Sequence, residues 1–436
     1  MRIKTIFAIL LCATASTILI YLMTKNEFYD VPKIHINSRL SDLEQSLKQE
    51  FEQNSKLING IKKIIEKAGK VGENKGGKID DPGEVGKPTS TLQYPVIPVL
   101  VFACNRITVK KCLDQLILYR PSKEQFPIIV SQDCNHEDTR NVILSYGDEL
   151  IYIQQPDQSE IAVPPKEKKF KGYFKIARHY GWALNHTFLK LNFDTVIIVE
   201  DDLDIAPDFF EYFLGTYPIL KKDKTLWCVS AWNDNGKADL VDNDASTLLY
   251  RTDFFPGLGW MLTKDLWLEL APKWPKSYWD DWIRQPQQRK ERACIRPELS
   301  RTRTFGKFGV SNGLFYEKHL KYIKLNEKFV PFRSMNLTYL MKDKYDVMFL
   351  KEVYTSAVVG YSELRSNQIV NEGPVRIPYH TKDIYKRTAK ILGLMDDFRS
   401  GVPRMGYRGV VSFFYNGRRV YLAPPPNWKG YDITWS

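Results

Sequence analysis

From residue 96 onward, short apolar runs alternate with helically spaced segments, and that alternation constrains the fold more than any other feature of the chain. Residues 96–103 (VIPVLVFA), 127–132 (PIIVSQ), 150–153 (LIYI) and 195–200 (TVIIVE) read as buried strands. Residues 108–119 and 174–189 carry helical spacing between them. Strands alternating with helices predict βαβ units, hence an α/β fold with a mostly parallel central sheet. Ligands of such sheets bind beyond the C-terminal strand ends, so the residues just after each strand are the candidates for chemistry.

The fourth run ends in Glu200-Asp201-Asp202, followed by Leu203-Asp204. Carboxylates gathered at a strand end suit a hard cation such as magnesium or manganese, which takes oxygen ligands and shares them with substrate phosphates. Asp204 reads instead as the cap of a helix entered through Pro207, with Asp208 in its first turn. Arg106 follows the first strand and Asp133 the second. Parallel neighbours would bring both to one crevice, where the arginine can meet a phosphate and the aspartate can accept from a uracil imide. Cys104 and Cys134 would end beside each other and could bridge.

Further along, residues 250–260 (YRTDFFPGLGW) form an apolar, glycine-containing wall for an acceptor. Asp280 and Asp281 stand between Trp279 and Trp282. A carboxylate packed among tryptophans is partly desolvated, which raises its pKa toward that of a general base. Residues 301–313 (RTRTFGKFGVSNG) are basic and glycine-spaced and read as a loop closing over a phosphate. Nearer the C-terminus, a short helix is expected around residues 386–394. A hairpin over 410–415 and 418–422 turns at Asn416-Gly417. Residues 343–436 therefore read as a second, smaller α+β domain.

The N-terminus has a different texture. Residues 5–24 are uncharged and about long enough to span a bilayer core. Arg2 and Lys4 flank the short side, so residues 1–4 are expected in the cytosol and the rest in a lumen. Residues 25–68 carry an amphipathic pattern with Leu40, Leu47, Asn54 and Ile61 at one heptad position and Leu43, Leu57 and Ile64 at another. That pattern fits a coiled coil, allowing self-association through the stem, and equally a lone stem helix. Residues 69–92, rich in Gly, Lys, Glu and Pro, read as a flexible linker. Of six cysteines, Cys12 lies in the anchor; the other five allow two disulfides and one free thiol in an oxidising lumen. Asn185-His-Thr and Asn336-Leu-Thr are glycosylation sequons. The formal net charge of +12 accompanies no nucleic-acid-binding motif, and the lumenal orientation argues against such a partner.

The acidic triplet after its strand, VSQDC, AWNDNGK, YRTDFFPGLGW, WDDW, RPELSRTRTFG and the ending GVPRMGYRGVV…YLAPPPNWKGYD together resemble the N-acetylglucosaminyltransferase I family, from about residue 95 to the C-terminus. The resemblance implies an inverting Golgi enzyme of the GT-A type, held by a single-pass type II anchor. It implies a catalytic domain over 93–306, a linker with the closing loop over 307–342, and the C-terminal domain. The implied reaction moves N-acetylglucosamine from UDP-GlcNAc, in β-1,2 linkage, to the α-1,3-linked mannose of a high-mannose N-glycan core. A protein O-mannose β-1,2-N-acetylglucosaminyltransferase and a non-catalytic Golgi glycan-binding scaffold are the alternatives.

Carried over by motif, Arg106, Asp133 and His179 contact the nucleotide sugar, Asp201 touches its sugar or ribose, and Glu200 completes the acid cluster. Asp202 holds manganese, Asp280 is the base, and Ser311 lies in the closing loop. Cys104–Cys134 and Cys228–Cys294 match the family's disulfides, leaving Cys112 free. His179 by itself reads as a structural helix histidine; only the resemblance gives it a role.

Overall fold

The computed structural model describes Gln45, residues 95–307, Gly309 and residues 313–435. The expected tail, anchor, stem and linker, and Ser311 in the closing loop, lie outside the described residues. Among those described, no helix is long and apolar enough to cross a membrane. The residues from Leu92 onward belong to one compact unit.

The predicted strands are all present. They are β1 (Val99–Ala103), β2 (Ile128–Gln132), β3 (Ile151–Gln154) and β4 (Thr195–Glu200). Helix α1 (Val109–Tyr119) links β1 to β2, α2 (Glu137–Leu144) links β2 to β3, and α3 (Lys171–Asn185) precedes β4. β5 (Leu203–Ile205) and α4 (Phe209–Lys222) lead to β6 (Leu226–Ser230), β7 (Leu249–Thr252) and β8 (Trp260–Thr263). Then come α5 (Lys264–Leu270), α6 (Trp279–Ile283), β9 (Ala293–Pro297) and β10 (Thr302–Thr304).

Eight of these strands form one sheet in the order β3-β2-β1-β4-β8-β6-β9-β7. β3, β2, β1 and β4 are parallel, and β8 and β7 are the antiparallel members. The sheet is covered on both faces, which explains the continuous apolar runs. Val99, Val101, Ile128, Val130, Ile197 and Val199 pack beneath α1 and α4. Their alternates Leu100, Phe102, Ile129, Val196 and Ile198 pack against α3, α5 and α6.

Chain order reverses at β1, with β2 on one side and β4 on the other. A crevice opens where the flanking connections diverge. Phe102 is the register partner of Glu200, and Ala103 that of Gln132. The residues after all three strands therefore emerge side by side. Cys104 and Cys134 are joined there, with Cα atoms 5.2 Å apart. Cys228 and Cys294 are direct partners of β6 and β9 and are also joined. Cys112 is free and buried on α1.

Two expectations are corrected. Asp204 caps no helix: it lies in β5, paired to Lys111 and to Arg303 at 2.5 and 3.0 Å. The N-cap position belongs to Asp208, whose carboxylate takes Arg301 and Asn326 instead of a helix N–H. For both aspartates, the cationic and amide partners within reach outweigh the modest gain of a cap. Residues 302–304 are not loop but strand β10, paired antiparallel with β5.

A second sheet comprises Ala357–Val358, Val375–Pro378, Arg418–Ala423 and Val411–Tyr415. Its hairpin turns where expected, with Asn416 and Gly417 at φ 47° and 77°. Two consecutive left-handed residues match the right-handed strand twist, which is why Asn-Gly is favoured there. The expected helix spans Lys382–Ile391, its first turn capped by Thr381 Oγ1 accepting from the Ile384 N–H.

Candidate active site

Beyond the ends of β1, β2 and β4 lies a cleft of about 720 Å³. Arg106, Asp133, His179, Glu200, Asp201 and Asp202 all line it, so six residues chosen from sequence meet in one place. Backbone bonds carry the ladder just past the strands: Asp201 N–H donates to Phe102 O and Asp133 N–H to Ala103 O. That fixes both aspartates at the crevice floor, where both are nearly fully buried.

Arg106 lies on the acid cluster. Its guanidinium grips both oxygens of Asp201 and donates to Asp202 Oδ2 at 2.7 Å. Burial pushes the Asp201 carboxyl up to about 7, against the pull of Arg106. Burial and then the Asp202 charge push Glu200 up to about 7 as well. Gly306 lies directly over Asp202; a Cβ there would stand 1.8 Å from Oδ2. Phe305 N–H donates to Asp202 O, so the segment after β10 begins by closing onto this carboxylate. Lys175 also lines the cleft, and no described residue forms an ion pair with it.

His179 is buried with Nε2 2.7 Å from Ser131 Oγ. Phe102 meets the ring edge-on at 4.9 Å. Burial lowers its pKa from 6.5 to about 4, so the ring is neutral near pH 7. A histidine that stays neutral when folded stabilises fully above its unfolded pKa and loses that contribution as pH falls from about 6.5 toward 4. His179→Gln, which keeps a polar partner for Ser131, should flatten this part of the melting-temperature profile. An unchanged slope would place the acid sensitivity elsewhere.

Tyr180 is a site residue that sequence reasoning missed. Its hydroxyl donates to Glu200 Oε1 at 2.8 Å, and its ring stacks between Phe102 and Trp279. It thereby ties the acid cluster to α6. In the sequence it is one more aromatic residue on an amphipathic helix, with nothing local to separate it from core.

Asp280 does not line the cleft, and its surroundings correct the expected desolvation. Trp279 and Ile283 are the buried members of α6, while the Asp280 side chain is 45% exposed and accepts from Arg284 Nη1 at 3.0 Å. Arg284 is itself buried, donating to Phe255 O and lying over the Phe254 ring. Asp281 accepts from the same Arg284 nitrogen and pairs with Arg399 at 3.3 Å. Tyr173, which lines the cleft, lies close enough to Asp280 and Asp281 for their charge to raise its phenol pKa, after burial. Asp280 therefore stands beside the cleft wall.

Asp281→Asn removes one anchor of Arg284 and the link to Arg399. For a half-exposed pair the loss should be about 1 kcal/mol of unfolding free energy in urea, with turnover changed only severalfold. A turnover loss as deep as that of an Asp280 variant would contradict this division of roles.

The chain matches the GNT-I family over residues 4–435. It is similar to the alpha-1,3-mannosyl-glycoprotein 2-beta-N-acetylglucosaminyltransferase of Arabidopsis thaliana, with 40% identity over 344 residues, 78% of this chain and 77% of the relative. Among solved structures, glucosyl-3-phosphoglycerate synthase of Mycobacterium tuberculosis with Mg2+ and uridine diphosphate overlaps 51% of this chain and 76% of its own, at 16% identity and a TM-score of 0.34. A mannosyltransferase of Pyrobaculum calidifontis with GDP-mannose and Mn2+ overlaps 43% of this chain and 50% of its own, at 16% identity and a TM-score of 0.28. With the family match running almost end to end and two-fifths identity across most of a full-length relative, this chain belongs to the GNT-I family.

Proposed function

We propose that this enzyme transfers N-acetylglucosamine from UDP-GlcNAc to the 2-hydroxyl of the α-1,3-linked mannose of a high-mannose N-glycan, with inversion. The observation that carries the reading is the convergence of Arg106, Asp133, His179, Glu200, Asp201 and Asp202 on one cleft, in a chain of this family. In this reading residues 93–306 form a GT-A-type nucleotide-sugar domain, and the segment containing Ser311 closes over the bound sugar nucleotide. The catalytic part faces the Golgi lumen behind an anchor at residues 5–24.

Asp133 is offered to the uracil imide, and neutral His179 supplies a hydrogen bond without adding charge. Asp202 is a hard oxygen donor of the kind that suits magnesium or manganese, and a cation there would share the carboxylate with Arg106 or displace it from Oδ2. Gly306 lies against the carboxylate of Asp202, an approach that only a residue without a side chain can make. Among the described residues no three His, Cys, Asp or Glu side chains form a closed metal site, so a cation at Asp202 would draw further ligands from water and diphosphate. When bound, manganese would supply positive charge against the diphosphate that leaves.

Asp280 takes the proton of the mannose 2-hydroxyl. Arg284 holds Oδ2 and leaves Oδ1 for that proton. The hydroxyl oxygen attacks the anomeric carbon from the face opposite the diphosphate, so the α-linked sugar nucleotide yields a β product. The test is turnover of labelled UDP-GlcNAc on a five-mannose N-glycan and on an O-mannosyl peptide, with and without manganese. Transfer to the N-glycan that requires the metal is expected. Preference for the peptide would favour the O-mannose activity, and no turnover on either would favour a glycan-binding scaffold.

A further inference from the structure

A second pocket, of about 520 Å³, lies at the opposite end of the main sheet from the nucleotide cleft. Ala293, in its wall, opens β9, which runs in the same direction as β6 and hence β4. The cleft is at the C-terminal end of β4, and this pocket is at the N-terminal end of β9.

Five cationic side chains line it: Arg251, Arg289, Lys342, Arg408 and Lys429. Three are already engaged, Arg251 by Asp223 and both Lys342 and Arg408 by Asp346. Arg289 differs. It is 7% exposed, yet no described residue hydrogen-bonds or ion-pairs its guanidinium, and its buried Nε has no partner. Its flat face lies 5.2 Å over the Tyr431 ring, which orients it without satisfying any N–H. A guanidinium stays charged in proteins, so leaving its buried Nε unmet is costly. Two acids also face the pocket. Asp253 accepts from the Tyr431 hydroxyl and the Arg408 N–H and lies within electrostatic reach of Arg289, and Glu291 is exposed at the rim.

We propose that this pocket binds an oxyanion, a phosphate, sulfate or carboxylate group, on the guanidinium of Arg289. The planar fork of arginine meets such groups through paired hydrogen bonds. The volume exceeds that of a bare ion, and Trp428 stands at the rim against Tyr431, with ring centres 4.7 Å apart. The anion can therefore be carried on a sugar whose ring lies along the aromatic side chain.

The test is calorimetric titration of the full chain with inorganic phosphate and with a hexose 6-phosphate. Saturable binding is expected, weakened about 10- to 100-fold in Arg289→Gln, the range for losing charge-assisted bonds. Lys175→Ala, which alters the nucleotide cleft, should leave it in place. Tighter binding of the hexose phosphate assigns the ligand to a sugar-borne anion, and equal binding to the free ion. Lys429 is exposed, so Lys429→Gln tests the pocket even where Arg289→Gln fails to fold. It should weaken phosphate severalfold, as should Arg289→Lys. The proposal is overturned by an absence of saturable binding, by binding lost in Lys175→Ala but kept in Arg289→Gln, or by unchanged affinity in both Lys429→Gln and Arg289→Lys.

Discussion

Asp280→Asn is expected to lower turnover by roughly 100- to 10,000-fold, the usual worth of a general base, or about 3–5 kcal/mol of barrier. The amide keeps the shape of the side chain and can still face Arg284, but it cannot take the proton of the acceptor hydroxyl. Asp280 lies on α6 and does not line the nucleotide cleft. Sugar-nucleotide binding should therefore survive the substitution. Calorimetric titration with UDP-GlcNAc, alongside single-turnover rates, separates the two quantities. Normal turnover in Asp280→Asn together with abolished turnover in Asp281→Asn would shift the base by one residue; activity in both would move it out of α6.

The second large effect is expected at Asp202. Asp202→Asn replaces a carboxylate by a poor ligand for a hard cation and should remove most manganese-dependent binding of the sugar nucleotide, with turnover falling in step. The fold should persist, because the backbone of Asp202, not its side chain, anchors Phe305. Arg106 would keep its bidentate grip on Asp201. Manganese titration followed by sugar-nucleotide binding reads the effect. Undiminished affinity with metal would transfer the ligand role to another carboxylate of the cleft, Glu200 or Asp201, rather than to Asp204, which does not line it.

The nucleotide cleft was legible because its residues sit at the ends of apolar runs. Ala103, Gln132 and Glu200 are the last residues of three parallel strands, and a run of β-favouring residues that stops marks the place in the sequence itself. The hairpin at Asn416-Gly417 was legible for a similar local reason, since few residues tolerate two consecutive positive φ values. The antiparallel strand β8, inserted between β4 and β6, carried no comparable signal. Its four residues, Trp260 to Thr263, follow a glycine-rich stretch, and only the neighbours they pair with make them central.

The partners of the charges were not legible. That Arg106, expected to meet a phosphate, also holds Asp201 and Asp202, about a hundred residues away in the chain, could not be read from the sequence. Asp280 was read as desolvated by flanking tryptophans, but helical geometry turns Trp279 inward and leaves Asp280 half exposed beside Arg284. Asp204 looked like a cap and is a strand residue held by two cations, and Arg289, unremarkable in sequence, is a buried guanidinium whose Nε has no hydrogen-bond partner. Local patterning determined the elements and where each ends, because periodicity and turn chemistry act over a few residues. What each ionisable group faces, and so what it can do, was decided only when sheet order and helix packing brought distant segments together, because electrostatic and hydrogen-bond energies depend on through-space distance and burial, which separation along the chain does not encode.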